Sequence, residues 1–178
     1  MPTFEPLQGV RVVDVTTSLA GPYSSEILAS LGADVVKVEN PDGGDEARSW
    51  GPPFLDGEGI LSLSANASKR SLALSFREER GREALLRLAE GAGVFIVSLR
   101  PGLAEQRGLG PEEVRARNPE LVYCTIGAFG NRGPLSGDSG YDPLVQSFSG
   151  ITPPRNGISA HRALPGTADE GRRAGPVS

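Results

Sequence analysis

The chain has 178 residues, of which 22% are charged, and a formal net charge of -4. This mildly acidic balance, without a run of basic residues, argues against nucleic acid or an anionic membrane as a partner, because phosphate binding needs a basic face. One cysteine, Cys124, and one histidine, His161, exclude an intrachain disulfide and are too few for a metal cluster, so we expect no metal.

The first predicted elements form a β-α-β unit. Residues 10–15 are rich in β-branched side chains and are followed by polar residues, which predicts a buried strand. Apolar residues at helical spacing predict a helix over 23–31, with Pro22 in its first turn and Gly32 at its C-terminal cap. A second strand is predicted over 34–39, and the crossover between the two strands should be right-handed.

The alternation of strands and helices continues to residue 126. The segment 41–59 has many glycines and prolines without a period, so it is predicted to be a loop. The later predicted strands are 71–75, 94–97 and 121–126, and the predicted helices are 78–88 and 111–117. Such alternation predicts an α/β fold, a Rossmann-like parallel sheet with helices on both faces.

The composition changes after Gly150. Residues 151–178 have small, charged and turn-forming side chains without hydrophobic periodicity, so they cannot bury enough apolar surface to offset the entropy cost of ordering. We therefore predict one domain over 1–150 and a disordered or aberrant tail over 151–178. A truncated reading frame, a frameshift and a natural linker all produce such a tail. The start lacks the features of a secretory signal and no apolar run spans a bilayer, which predicts a cytoplasmic protein.

Ligands of open α/β sheets bind at the carboxyl ends of the strands. Three segments next to predicted strands are candidates for such a site. Residues 16–22 either offer backbone N–H groups to a phosphate or form a tight turn with a helix cap. Lys69 and Arg70 either hold phosphate groups or form a solvated charge pair. Arg100 either faces a ligand or caps its loop. There is no GxGxxG, so a nucleotide fingerprint is absent.

Four other residues have side chains that could take part in catalysis. Asp142 is an acid or, more simply, the N-cap of a following helix. Cys124 lies in the middle of a predicted strand, which indicates a buried core residue. His161 lacks partners for a catalytic triad. Asp169 lies beside Glu170 in the predicted tail, where solvated carboxylates are the simplest interpretation.

Taken in order, short motifs along the chain resemble the family III CoA-transferases. This family includes formyl-CoA transferase, the carnitine and bile-acid CoA-transferases and α-methylacyl-CoA racemase. The resemblance covers about residues 7–150 through segments 7–14, 20–22, 31–39, 43–45, 69–71, 100–102, 109–110, 118–119 and 140–142.

The resemblance implies an amino-terminal part of a Rossmann-like large domain, a smaller domain elsewhere, and a homodimer of interlinked chains. It also implies acyl-CoA and a carboxylic acid acceptor as substrates, with transfer through an aspartyl-CoA thioester. Asp169 is at almost the distance from Asp142 that the family's nucleophile requires. The implied CoA-binding residues are Ser18, Leu19, Asn40, Lys69, Ser98, Leu99 and Arg100.

Departures from the family pattern limit these expectations. Ser98-Leu99 replaces the usual Asn-Phe, and Asn40 replaces a basic residue near the adenine. The glycine-rich continuation and the small domain are not recognisable after Gly150, so the chain is expected to be incomplete and possibly inactive. The alternatives are a CoA-binding or interaction fragment without catalysis, and a racemase-like isomerase. The racemases of the family look as if they carry histidine at the position of Tyr141, where it could abstract a proton next to the thioester carbonyl. Tyrosine at this position therefore favours transfer over racemisation.

Overall fold

A five-stranded parallel sheet forms the centre of the fold. The computed structural model describes residues 4–151, so Asp169, His161 and the other residues after 151 lie outside the described part. The strands are β1 (Arg11–Val15), β2 (Asp34–Glu39), β3 (Phe54–Leu55), β4 (Glu58–Gly59), β5 (Arg70–Ala73), β6 (Val94–Val97) and β7 (Val122–Thr125). Strands β3 and β4 form a separate antiparallel hairpin.

Six α-helices are described, with one 3₁₀ helix at Glu46–Ser49. The α-helices are α1 (Ala20–Ser30), α2 (Ile60–Ala65), α3 (Glu79–Glu90), α4 (Leu103–Gln106), α5 (Pro111–Arg117) and α6 (Asp142–Ser149). Helix α1 ends at Ser30 with Leu31 as its C-cap, and Gly32 follows with a φ of 96°, in agreement with its predicted role at the helix C-terminus.

The strand order of the sheet is β5-β2-β1-β6-β7, and every neighbouring pair is parallel. The chain leaves β1 towards β2 and β5, and later returns to the other side of β1 with β6 and β7. The order therefore reverses between β1 and β6, as in Rossmann-type sheets. The predicted α/β class with a Rossmann-like sheet is confirmed, and all five strands end at one carboxyl edge.

Apolar residues on both faces of the sheet form the core. Side chains along β1 point alternately to the two faces of the sheet. Val13 and Val15 belong to a buried cluster that includes the apolar side of α3, and Val12 belongs to a second cluster that includes residues of α1. Phe95 of β6 is fully buried and stacks on Tyr123 at 5.7 Å between ring centroids. Full burial of one such side chain contributes about 1.5–3 kcal/mol.

Several predicted boundaries agree with the structure, and others need correction. The segments Asp34–Glu39, Val94–Val97 and Pro111–Arg117 were predicted with the observed ends. The segment 41–59 is not a plain loop, because it contains the 3₁₀ helix and the β3-β4 hairpin. Short helices α2 and α4 were not predicted, since six and four residues are too few to show a helical period.

Strand β7 lies at one edge of the sheet and is largely exposed. Val122 is 60% exposed, and Cys124 and Thr125 are exposed as well. The prediction that Cys124 is a buried core residue is therefore wrong. An apolar run marks a buried strand only when both faces and both edges are covered, and an edge strand can have the same composition.

Candidate functional site

The candidate site lies at the carboxyl edge of the sheet where the strand order reverses. The loop after β1 and the loop after β6 are neighbours there, because β1 and β6 pair directly. The Thr17 N–H donates a hydrogen bond of 3.0 Å to Ser98 Oγ and so joins the two loops. Two of the predicted binding segments, 18–19 and 98–100, are thus brought together by the topology.

Helix α1 begins at this edge without a side-chain cap. Leu19 occupies the N-cap position, and no side chain accepts a hydrogen bond from the first turn. The helix also has no acidic residue of its own in that turn, and the carboxylates of Asp45 and Glu46 contact Ser18 just before it. The predicted helix-capping role of 16–18 is therefore not found, and the N–H groups at the start of α1 remain suited to an anionic ligand.

Gly21 allows α1 to start so close to β1. A Cβ atom at this position would lie 2.3 Å from Thr16 Cβ, well inside the contact distance of real side chains. Thr16 is itself fully buried, so it has little room to move. The close approach of the helix start to the strand end therefore depends on glycine at position 21.

Ser18 has an unusual backbone conformation, held by two acidic residues. Its φ is 70°, in the left-handed region that non-glycine residues rarely adopt. Its N–H donates a 2.9 Å hydrogen bond to Asp45 Oδ1, and its Oγ donates to the Glu46 carboxylate. Tyr141 Oη also donates to Glu46, at 3.3 Å. These contacts connect the β1–α1 loop with the 3₁₀ helix and the start of α6.

A buried ion pair, Lys37–Asp45, lies directly below this loop. Lys37 Nζ is 3.0 Å from Asp45 Oδ2, and both side chains are only 1% exposed. Lys37 Nζ also donates to the Thr16 carbonyl oxygen. The pair therefore holds both ends of the turn at residues 16–18, one through a carbonyl and the other through the Ser18 N–H.

A second buried ion pair, Asp14–Lys69, lies on the same face of the sheet. Lys69 Nζ is 3.1 Å from Asp14 Oδ2, and the two side chains are 1% and 0% exposed. Burial raises the pKa of Asp14, but Lys37, Lys69 and hydrogen bonds from Ser25 and Thr16 outweigh it and hold the pKa below its ordinary value. Asp14 is therefore a carboxylate in the folded protein.

Lys69 is not presented to a ligand, in contrast to the prediction from the sequence. Its ammonium also donates to the Pro22 carbonyl at 2.6 Å and to Asn66 Oδ1 at 2.9 Å. Burial lowers the pKa of Lys69, and the attraction of Asp14 offsets part of this effect. Arg70 behaves as the expected exposed charge, because it makes two hydrogen bonds to Asp34 on the neighbouring strand.

A third group of charges, Glu39, Arg48 and Glu58, anchors the segment after β2. Arg48 donates to both oxygens of Glu39, at 2.7 and 2.8 Å, and to Glu58 at 3.0 Å. The hydrogen bond from Arg48 lowers the pKa of Glu39 more than burial raises it. A cavity of about 220 Å³ lies beside this group; its lining includes Lys37, Glu39, Arg48, Ser62, Asn66 and Lys69.

The other predicted binding residues lie at the surface of the carboxyl edge. Asn40 follows β2, is exposed, and exchanges hydrogen bonds of 3.2 Å with the backbone of Asp42. Ser98 and Leu99 are half-buried after β6, and Arg100 is exposed. Arg100 begins a tight turn, closed by a 2.9 Å hydrogen bond from the Leu103 N–H to its carbonyl, with Gly102 at a φ of 76°.

The Arg100 side chain has no hydrogen bond or ion pair within residues 4–151. Its guanidinium is thus available for an anion, and the alternative that it caps its own loop through the side chain is not found. Asp142 is the first residue of α6, where Tyr141 occupies the N-cap position, so the prediction of an Asp142 cap is wrong. The Asp142 carboxylate instead accepts a hydrogen bond from the Gln146 side chain.

Reasoning from the sequence missed the buried charges Asp14, Lys37 and Glu39. A signal for them was present, since each interrupts an apolar strand, and Lys37 and Glu39 are two residues apart on one face. The strand register then places Asp14 beside Lys37. Their pairing with Asp45 and Lys69 could not be predicted, because it depends on segments that meet only in the folded sheet.

Within the described part, the structure has no helix that is long and apolar enough to cross a membrane. Residues 4–151 also have no group of three or more histidine, cysteine, aspartate or glutamate side chains that could hold a metal ion.

The parallel sheet and its strand order define a Rossmann-type α/β protein. Residues 7–162 match the sequence pattern of CoA-transferase family III, and the chain belongs to this family. The crystal structure of a CAIB/BAIF family protein from Brucella suis is similar, with a TM-score of 0.79 and 42% identity, covering 84% of this chain and 40% of that one.

Two curated relatives are similar in sequence. Succinyl-CoA:glutarate CoA-transferase of Mus musculus is 41% identical over 158 residues, which are 87% of this chain and 36% of the relative. Succinate--glutarate CoA-transferase of Agrobacterium fabrum is 44% identical over 153 residues, 82% of this chain and 38% of the relative. The chain thus spans 36 to 38% of the length of these relatives.

Proposed function

We propose that this chain binds the CoA part of an acyl-CoA and serves an acyl-CoA:carboxylate CoA-transferase reaction. The observation that carries the proposal is the junction of the β1 and β6 loops at the reversal of strand order, made by the Thr17–Ser98 hydrogen bond. The start of α1, which has no side-chain cap, and the Arg100 guanidinium, which has no partner among residues 4–151, add two sources of positive potential at this edge.

In this proposal the CoA contacts come from Ser18, Leu19, Asn40, Ser98, Leu99 and Arg100. The start of α1 and Arg100 bind phosphate groups, while Leu19, which is 40% exposed, and half-buried Leu99 provide apolar contacts. Lys69 is left out of this set because its ammonium is buried against Asp14. It supports the loop from below instead.

The chemistry proposed for the reaction uses an aspartate nucleophile, for which Asp169 remains the candidate outside the described residues. Its carboxylate oxygen attacks the thioester carbonyl, the C–S bond breaks, and CoA leaves as a thiolate, so that the acyl group and the aspartate form a mixed anhydride. The thiolate then attacks the aspartyl carbonyl and releases the donor acid, which leaves an aspartyl-CoA thioester. The acceptor carboxylate takes over the CoA by the same two steps in reverse order.

Calorimetric titration of the chain with CoA tests the binding proposal. We expect saturable binding that weakens about tenfold or more in Arg100→Gln, because a hydrogen bond to a charged group contributes about 1.5–3 kcal/mol. Arg115→Gln is the matched control, since Arg115 is an exposed arginine on α5, away from the carboxyl edge. Equal affinity of the two variants, or no binding by the parent chain, would contradict the proposal.

Trapping with hydroxylamine tests the nucleophile. Incubation with an acyl-CoA and hydroxylamine should convert Asp169 to a hydroxamate, seen by peptide mass spectrometry, and Asp169→Asn should give none. CoA binding without an adduct would support the alternative of a binding fragment that lacks catalysis.

The racemase alternative makes a different prediction at Tyr141. The Tyr141 hydroxyl donates a hydrogen bond of 3.3 Å to the Glu46 carboxylate, so it is not arranged as a base. We expect no exchange of the α-hydrogen of a 2-methylacyl-CoA with deuterium from solvent. Exchange measured by NMR would favour the isomerase.

A further inference from the structure

We propose that Asp45 is a positioning residue that keeps the β1–α1 loop in its binding conformation by holding Ser18 in the left-handed region. The proposal rests on the proposed function, since that function makes this loop a wall of the CoA site. Asp45 itself is 2% exposed and does not reach the surface at which CoA would bind. Its effect on a ligand must therefore pass through Ser18.

The contacts of Asp45 are arranged for this role. Oδ1 accepts the Ser18 N–H at 2.9 Å and the Ala47 N–H at 3.0 Å, while Oδ2 faces Lys37 Nζ at 3.0 Å. The Asp45 N–H in turn donates to Glu39 Oε2 at 2.9 Å. Besides the Ser18 N–H, the carboxylate thus has two further partners, and the Asp45 backbone is held by Glu39, so Asp45 acts as a rigid anchor.

The conformation of Ser18 needs such an anchor. A non-glycine residue in the left-handed region is disfavoured by an amount equivalent to about tenfold in an equilibrium constant. Ser18 keeps a φ of 70° while its N–H bonds to Asp45 and its Oγ bonds to Glu46. Without the Asp45 contact, the loop would relax to a backbone region that serine prefers, and the start of α1 would be displaced from the β6 loop.

A purely structural role for Asp45, as the N-cap of the 3₁₀ helix, is the competing explanation. The two explanations differ in their response to glycine at position 18. Glycine adopts the left-handed region without cost, so Ser18→Gly should restore the loop when Asp45 is lost. A helix cap would not be restored by a change 27 residues away.

The experiment compares five versions of the full chain, the parent and four variants. Lys37→Met/Asp45→Ala removes both charges of the buried pair and so leaves no unpaired buried charge. Ser18→Gly is then added to this double variant and, separately, to the parent. Asn118→Ala is the stability control, because it removes a 2.8 Å hydrogen bond to the Ala92 carbonyl at the amino edge of the sheet. Lys37→Met/Asp45→Leu, which likewise has no side-chain oxygen to accept the Ser18 N–H, replaces the double variant if circular dichroism shows the latter to be unfolded.

We expect the Lys37→Met/Asp45→Ala variant to bind CoA about tenfold more weakly. Ser18→Gly should restore the part of this loss that arises from Ser18, whereas the part that arises from the lost Lys37–Thr16 contact should remain. Asn118→Ala should lower the melting temperature but leave the CoA affinity unchanged. The inference is overturned if the folded double variant binds CoA like the parent, or if Ser18→Gly restores nothing.

Hydrogen exchange of the Ser18 amide, followed by NMR, is independent of CoA. We expect the Ser18 amide to exchange at least about tenfold faster in Lys37→Met/Asp45→Ala than in Asn118→Ala, because the amide loses its hydrogen-bond acceptor. If the parent does not bind CoA, the proposed function alone is contradicted. If the Ser18 amide exchanges at the same rate in the two variants, the positioning role of Asp45 alone is contradicted.

Discussion

Asp14 and Lys69 show how this protein keeps charges inside its sheet. Burial removes the hydration of both ions, which costs free energy. Their mutual attraction offsets this cost only because the remaining carboxylate lone pairs and ammonium protons also make hydrogen bonds. Asp14 accepts hydrogen bonds from Thr16 and Ser25, and Lys69 donates to Pro22 and Asn66. Removing one partner therefore costs more than removing both.

Lys69→Met should lower the free energy of unfolding by about 3–5 kcal/mol, because it leaves the buried Asp14 carboxylate with one fewer counter-ion. Asp14→Asn/Lys69→Met should recover a large part of this loss. Urea denaturation followed by circular dichroism measures both variants. A loss below about 1 kcal/mol in the single variant would show that the pair does not stabilise the fold.

Tyr123 makes the stability sensitive to alkaline pH. Burial, with smaller effects of Glu105 and Glu113, raises the pKa of Tyr123 from 10.0 to about 12. The folded state thus retains the proton after the unfolded state has lost it, so this contribution is present below pH 10 and is lost as the pH rises towards 12. Tyr123→Phe should flatten the decrease in melting temperature over this range. An unchanged slope would contradict the assignment.

The sequence predicted that Lys69 and Arg70 either hold phosphate groups or form a solvated charge pair, whereas in the structure only Arg70 is exposed and the Lys69 side chain is buried. An isolated Lys-Arg pair before a strand has the same sequence whether its lysine is solvated or enclosed. The enclosure arises from Asp14, 55 residues earlier in the chain. Cys124 shows the opposite error, since its apolar neighbours resemble those of a central strand.

Among the elements, α1 depends on a close contact at its start. Its start approaches β1 at Gly21, over the buried Thr16 side chain. Gly21→Ala should therefore lower the free energy of unfolding by about 1–3 kcal/mol, as overpacking of a core does. Gly93→Ala is the matched control, because an added Cβ there has its nearest neighbour at 3.5 Å. Equal stability of the two variants would mean that α1 can shift without cost.

The elements that were predicted with correct ends share strong local signals. Strand β2 is bounded by Ala33 and Asn40 around a β-branched run, and α5 begins at Pro111. The β3-β4 hairpin was missed although it contains Asp56-Gly57, both at positive φ, between its strands. This dipeptide is a recognised hairpin signal, and it was obscured by the surrounding glycines and prolines.

For the molecule as a whole, the lowered pKa values of Asp14 and Glu39 set the acid limit of stability. Their ordinary values are 3.8 and 4.5, and the folded values lie below these. The unfolded state therefore binds protons first, so the stabilisation is present above about pH 4.5 and is lost as the pH falls through the folded values. Glu39→Gln should make the loss of melting temperature below pH 4.5 shallower, and a slope equal to that of the parent would contradict this account.

The candidate site was predicted as a set of loops but not as a geometry. Parallel strands bring their carboxyl ends to one edge, so the nearness of residues 18–19 and 98–100 follows from the fold class alone. The sequence does not state the strand order, which decides that these two loops are direct neighbours. The role of Asp45 required coordinates, because it depends on one N–H group and a backbone angle.

The outer edge of β7, which pairs with no further strand within residues 4–151, has a consequence for handling the protein. The segment Val122–Thr125 contains no charge or proline that would repel an incoming strand, whereas the opposite rim begins with Arg70. Concentrated solutions should therefore self-associate by joining rims, which sedimentation velocity would reveal as a mass that grows with concentration. Val122→Lys should keep the chains apart.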